Sequence, residues 1–237
     1  MSELANRLLE KFYGSSPHPY RIFEEEVGRA LRPESVLMDA GCGRTVPVLR
    51  NYVGRASRLI GVERVEFTDV PKGIETFRAD LSSIPVPNAS IDVIMSRSVF
   101  EHLEDPEAVY TEFSRILKPG GRLIFLTANM WDYATLVARL VPNRFHPAIV
   151  ARVEGREEAD VFPVRYRTNT HRAVARLSAN ARLEIEDYRY LGQYPNYFMF
   201  NAALFLLGTG YDKLVSRFEP LRFLRGWILV TLRRPAV

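Results

Sequence analysis

The chain has 237 residues, 47% hydrophobic and 25% charged, which fits one globular α/β domain with a sizeable core and excludes a disordered or fibrous chain. Its lone cysteine, Cys42, excludes an intrachain disulfide or a thiolate metal cluster and suits a reducing, cytoplasmic setting. The net charge of +4 is uneven: residues 1–138 hold 16 Lys and Arg against 19 Asp and Glu, while residues 139–237 hold 16 against 9.

Leu4, Leu8, Leu9 and Phe12 recur at helical spacing, so the chain opens with an amphipathic helix. Glu3, Arg7, Glu10 and Lys11 are mixed among these apolar residues, unlike the apolar core of a secretory leader. Gly14-Ser15-Ser16-Pro17 breaks this helix, and a second runs from about Tyr20 to Leu31. Val36-Leu37-Met38, ending at Asp39 and a glycine turn, is a buried parallel strand. Leu59–Glu63, Ile91–Met95 and Leu123–Leu126 are further strands, Thr76–Ala79 is strand-like, and Pro106–Leu117 carries the apolar stripe of a helix. Strand alternating with helix predicts a Rossmann-like, doubly wound, mostly parallel seven-stranded sheet with helices on both faces.

After Asn129 the rhythm changes. Trp131, Tyr133, Phe145, His146, Phe162 and Tyr166 follow with no clean period, then a helix over Thr170–Ala179 and a strand over Leu183–Tyr190. Residues 191–226 read as a second aromatic-rich insertion, and Trp227–Leu232 as the last strand. Within this insertion the apolar run Phe198–Leu207 is broken by Asn201 and is too short to span a bilayer. We expect a single domain over 1–237: N-terminal helices in 1–35, a cofactor-binding half in 36–128, and a half that covers the substrate in 129–237.

The chemistry is concentrated at Asp39-Ala40-Gly41-Cys42-Gly43. A strand that ends in Gly-x-Gly lets backbone approach a ligand where a Cβ would collide, and a following helix N-terminus would suit a carboxylate. Glu63 closes the next strand, where an acidic side chain can accept from both hydroxyls of a ribose. Asp80 follows a third strand, where a carboxylate can accept from an adenine amino group. Nicotinamide dinucleotides compete for this pattern, but their third glycine is here Val46, and Asp39 suits an ammonium better than a pyrophosphate. Gly41 and Gly43 taken alone are equally what a structural turn requires.

Further segments narrow the choice. Gly61-Val62-Glu63, Ala79-Asp80-Leu81, Ser90-Ile91-Asp92-Val93-Ile94, Phe100-Glu101-His102-Leu103 and Leu117-Lys118-Pro119-Gly120-Gly121-Arg122-Leu123 follow in order. Together with the glycine turn they resemble the class I S-adenosylmethionine-dependent methyltransferases, most closely the type 11 group, over residues 30–128. The resemblance implies that Asp39, Gly41, Cys42 and Gly43 line the methionine end of S-adenosyl-L-methionine. Glu63 would hold the ribose, and Asp80 with the backbone of Leu81 the adenine. Ser96 would lie near the methionine moiety or the transferring methyl. Gly120-Gly121 is expected to be a structural turn. Thr45 departs from the family, many of whose members carry another glycine there.

No catalytic side chain is assigned. A sulfonium methyl is already activated, so transfer needs an in-line nucleophile more than acid–base help. His102 is read as packing against or capping the helix that begins near Asp105-Pro106, and His18, His146 and His171 show no metal-ligand spacing. Trp131, Tyr133, Tyr166 and Tyr194 are either lid or core, with core the commoner fate of large aromatics. The acceptor is expected to be a small or lipid-linked metabolite carrying an O, N or C nucleophile.

Two rivals remain: an RNA methyltransferase, and a non-catalytic protein that binds the cofactor. The fourth strand runs into Met95-Ser96-Arg97-Ser98 rather than a target-base motif, which argues against nucleic acid. Arg217, Arg222 and Arg225 beside apolar clusters raise a peripheral membrane contact as a further expectation. The sequence leaves the oligomeric state open.

Overall fold

The computed structural model of the protein describes residues 3–133, 135–136 and 163–236. Expectations for Phe145, His146 and Phe162 fall outside the described residues. In chain order the elements are α1 (Glu3–Tyr13), α2 (Pro19–Ala30), β1 (Val36–Ala40), β2 (Arg58–Glu63), β3 (Ile74–Arg78) and β4 (Ile91–Arg97). Then come α3 (Pro106–Ile116), β5 (Leu117–Ala128), α4 (His171–Asn180), β6 (Glu184–Leu191), α5 (Ala202–Arg217) and β7 (Trp227–Arg233).

The seven strands form one sheet in the order β3-β2-β1-β4-β5-β7-β6. β1 pairs in parallel with β2 and β4, and the β2–β3 and β4–β5 pairs are parallel too. β7 runs against β5: the Gly120 N–H donates to the Arg234 carbonyl at one end, and the Asn129 N–H to the Gly226 carbonyl at the other. The central strands are buried, with Leu37, Met38, Ile60, Val62, Ile94 and Met95 nearly or wholly removed from solvent. Strands covered on both faces read as unbroken apolar runs, which is why their positions were legible.

Most boundaries shift by one or two residues, and two differences bear on how the strands are built. β1 runs one residue past its expected end at Asp39, to Ala40, and carries Asp39 as its fourth residue, paired with Gly61 of β2 and Met95 of β4. β5 begins at Leu117, six residues before its expected start. Leu117 pairs with Ile91 and Arg122 with Val93, so Lys118–Gly121 form a bulge inside the strand instead of the expected turn ahead of it. Gly120, at φ 80°, supplies the left-handed residue that this bulge needs.

The chain divides into two compact units. The sheet unit comprises Phe23–Thr127, Arg165–Arg189 and Leu229–Val237; the helical unit comprises Met1–Ile22, Ala128–Val164 and Tyr190–Ile228. In the sheet unit α3 starts on Asp105, whose side chain accepts from the Ala108 N–H at 3.0 Å, with Pro106 at the first helical position. Asp105 is therefore the cap, and His102 instead closes a short 3-10 turn, its N–H donating to the Val99 carbonyl.

The helical unit has its own small core. Met199 and Phe205 pack with Leu8, Leu9, Tyr13, Tyr194 and Phe198. The Tyr13 hydroxyl donates to Asp212 Oδ2 at 3.0 Å and ties α1 to α5. Tyr133 stands edge-on to Tyr211 with ring centroids 4.9 Å apart, and Tyr194 lies 6.1 Å from Tyr13, so both serve as packing residues in this unit. Trp131 is 47% exposed. Tyr166 belongs to the sheet unit, where its N–H donates to the Glu101 carbonyl.

Candidate cofactor site

The strand order reverses direction between β1 and β4, and in open α/β sheets the carboxyl ends of strands at such a switch form the ligand crevice. The glycine turn leaves β1 at this point. Gly41 and Gly43 both sit at left-handed φ, 78° and 73°. A Cβ on Gly41 would also run into the side chain of Val99, so internal packing as well as backbone conformation demands glycine there.

The turn is held from β2. The Val62 carbonyl accepts from the N–H groups of both Gly41 (2.9 Å) and Cys42 (3.2 Å). Glu63, at the end of β2, spreads its carboxylate over two backbone donors: Gly43 N–H to Oε2 at 2.9 Å and Arg64 N–H to Oε1 at 2.8 Å. The acid expected to receive a ribose is thus already fixed against the glycine turn, and its orientation requires no ligand.

Asp39 is the electrostatic centre of the site. It is 3% exposed, and its Oδ2 is buried without a hydrogen-bond partner. Desolvation raises its pKa from the ordinary carboxylate value to about 7; the Arg97 guanidinium opposes this shift and the Glu63 charge adds to it. A buried carboxylate oxygen with no donor costs free energy unless a cation or donor arrives from outside.

The side chains of Cys42 and Ser96 are both buried against neighbouring strands. Cys42 is 4% exposed, and its sulfur lies over Gly61 of β2, where any side chain would collide with it. Val46 packs over the same glycine, so the position that carries the third glycine of a dinucleotide fingerprint is filled here by a core valine. Burial drives the Cys42 thiol well above its usual pKa, so it stays protonated. The Ser96 hydroxyl, fully buried, donates to the Ala40 carbonyl at 2.7 Å and pins β4 to β1.

Asp80 is exposed, and Oδ1 accepts from both the Ser82 hydroxyl (2.7 Å) and the Ser82 N–H (2.9 Å). Those two donors, with a lesser contribution from Arg64, hold its pKa below the usual range. Leu81 is 7% exposed beside it. The following loop is clamped by Arg115, which donates to the carbonyls of Ile84 and Val86 and to the Glu112 carboxylate. Glu112 in turn accepts from the Ile84 N–H at 2.6 Å.

One expectation is overturned. No α-helix follows the glycine turn: the chain passes through turns into a 3-10 helix at Leu49–Tyr52. Val46 at φ 45° and Pro47, which has no N–H, stop a helix from starting at the glycines. A carboxylate placed here would face turn backbone instead of a helix N-terminus.

The sequence reading missed a second buried polar group. Glu101, 7% exposed, accepts from the Thr127 hydroxyl at 2.7 Å, and Thr127 accepts from Asn169 Nδ2 at 2.8 Å. Thr168, also buried, donates to the Phe100 carbonyl at 2.8 Å. Glu101 stood in the Phe100–Leu103 run beside His102, and that adjacency was its signal. Nothing at Asn169, 68 residues further on, marked it as a partner.

The site residues fit S-adenosyl-L-methionine: a partnerless buried carboxylate for an ammonium, a preset acid at the end of the next strand, and a third carboxylate after β3. Fold and site together define a class I methyltransferase domain. Residues 38–125 match the family model described as a methyltransferase domain, type 11, so this segment is a domain of that family. The chain is 27% identical over 134 residues to the 27-O-demethylrifamycin SV methyltransferase of Amycolatopsis mediterranei, covering 52% of this chain and 44% of that one. It spans between 18% and 44% of the length of the first three curated relatives it matches.

Among solved structures, the [4+2]-cyclase SpnF matches with a TM-score of 0.58 at 17% identity, over 99% of this chain and 93% of that one. Geranyl diphosphate C-methyltransferase from Streptomyces coelicolor, solved with Mg2+, geranyl diphosphate and S-adenosyl-L-homocysteine, matches with a TM-score of 0.55 at 19% identity, over 91% and 79%. A cyclase and a methyltransferase thus share this fold, so the reaction must be argued from the site.

Proposed function

We propose that the protein is an enzyme that transfers the methyl group of S-adenosyl-L-methionine to an O, N or C nucleophile on a small or lipid-linked acceptor. The observation that carries this reading is Asp39: a carboxylate oxygen buried at the switch point with no donor, next to a turn that Glu63 holds in place. When bound, the cofactor supplies an electrophilic methyl group. Asp39 holds the amino group of its methionine end, Glu63 accepts from the ribose hydroxyls, and Asp80 with the backbone of Leu81 receives the adenine. Gly41 and Gly43 keep the turn open and rigid, while Cys42 and Ser96 act beneath it by fixing the strands.

The acceptor's specificity lies in residues 129–237, since the family match ends at residue 125. The S. coelicolor neighbour was solved with geranyl diphosphate, and the A. mediterranei relative is named for 27-O-demethylrifamycin SV, which supports a small-molecule or lipid-linked acceptor over a nucleic acid. We place the enzyme in the cytoplasm, where a buried, unpaired Cys42 stays reduced.

Calorimetric titration tests the cofactor assignment. S-adenosylhomocysteine is expected to bind at one site per chain, and NAD not at all. Binding of NAD without S-adenosylhomocysteine would overturn it.

A further inference from the structure

The outward side of α5 takes no part in the core that the described residues of its unit form. The helix turns Phe205, Gly208, Thr209, Asp212 and Val215 inward, three or four residues apart. Its other side exposes Leu206 (44%), Leu207 (72%) and Leu214 (50%), and Phe200 (66%) and Phe218 (49%) flank the two ends. Exposed leucines and phenylalanines gathered on one helix mark a contact surface more often than scattered ones do.

Along α5 itself the exposed charge has one sign. Between Met199 and Phe218 the only carboxylate is Asp212, which is buried and takes the Tyr13 hydroxyl. Lys213 and Arg217 are exposed on the last turns of α5. Arg225, expected from the sequence to face outward, instead donates to the carbonyls of Val215 and Ser216 and pairs with Glu219. It secures the end of the helix rather than a partner. Arg222 also pairs with Glu219, and Lys213 donates to the Phe12 carbonyl at 3.0 Å and lies over the Tyr13 ring, so the outward cationic character of the helix rests mainly on Arg217.

Apolar residues edged by cations suit an interface that offers hydrocarbon beneath a layer of negative charge. A second copy of this chain suits it poorly, because two such faces related by a two-fold axis would set Arg217 against its own kind, and the acid at the helix end, Glu219, is already paired with Arg222 and Arg225. No described helix is long and apolar enough to cross a membrane, so α5 would lie in the plane of the lipid headgroups. We propose that the outward face of α5 is a docking surface for an anionic lipid bilayer. Contact of this kind is independent of which nucleophile accepts the methyl group, and its failure would leave the cofactor assignment standing.

Vesicle sedimentation of the full chain tests the proposal. The vesicles are phosphatidylcholine alone or phosphatidylcholine mixed with phosphatidylglycerol, each at low and high salt. The protein is expected to sediment with the mixed vesicles at low salt and to be released by high salt. Leu207→Glu should lower the bound fraction about tenfold or more, and Arg217→Glu about fivefold or more at low salt. Both side chains are exposed, so the melting temperature should hold; if Leu207→Glu does not fold, Phe200→Ser probes the same face. Three results would overturn the proposal: no sedimentation with either vesicle, equal sedimentation with both, or a dimer that Leu207→Glu splits and that binds no vesicles.

Discussion

In the sheet unit Asp39, Ser96 and Glu101 are polar side chains kept from water, whereas in the helical unit Phe200, Leu207 and Leu214 are apolar side chains left in it. Both reverse the ordinary rule, and a buried polar group or an exposed large apolar group is the informative case. The two reversals differ in how they are compensated. Ser96 and Glu101 are hydrogen-bonded within the sheet unit, whereas Asp39 keeps a buried carboxylate oxygen without a donor at the turn after β1. In the helical unit the exposed leucines have no such internal standard, and only the sign of the nearby charge points to a partner.

The largest effect expected from breaking the sheet side of this comparison is at Gly41. Gly41→Ala forces a Cβ into Val99 at a left-handed φ and should cost about 2–5 kcal/mol of folding stability, read from denaturant unfolding. A loss under about 0.5 kcal/mol would mean that the turn relaxes freely and is not held by β2. Next is Glu63→Ala, which should weaken S-adenosylhomocysteine binding by about 1.5–3 kcal/mol, the worth of charge-assisted hydrogen bonds. Because Glu63 also accepts from the Gly43 and Arg64 N–H groups, Glu63→Gln should recover part of that loss. An unchanged dissociation constant in Glu63→Ala would remove it from the site.

The legibility of the sequence follows the same division. Between residues 36 and 128 local pattern and fold agree: apolar runs made buried strands, a glycine turn followed the first, a carboxylate closed the second and another followed the third. There the failures were local. Val46 and Pro47 replaced an expected helix with turns, and the Lys118–Gly121 bulge moved the start of β5. Glu101 was in view, but its partner Asn169 is distant in sequence, and no period links such a pair.

In 191–226 the misjudgement concerned a whole element. α5 was hidden because Asn201, Gly208 and Gly210 punctuate its apolar run like a loop. Asn201 is in fact its cap, accepting from the N–H groups of Ala203 and Leu204. Gly208 is there because a Cβ would strike Pro195. Tertiary contacts, which the sequence does not display, turned apparent breakers into a cap and a close-packing site.

The smallest predicted effect bears most directly on the central claim, that the Asp39 carboxylate receives the amino group of the cofactor. With its pKa raised to about 7, Asp39 is largely protonated in the free protein below that pH. The stability it lends the free fold is present at low pH and lost as pH rises through about 7. A bound ammonium favours the ionised form, so binding must release a proton below pH 7 and strengthen as pH rises. The measurement is S-adenosylhomocysteine affinity between about pH 5.5 and 7.5, below the range where the ligand's own amine titrates, in the natural protein and in Asp39→Asn. The natural protein should gain affinity by at most about tenfold per pH unit, with proton release seen in buffers of different ionisation enthalpy, while Asp39→Asn binds more weakly with a flat profile. Equal slopes in the two proteins, or affinity that falls as pH rises, would contradict the claim.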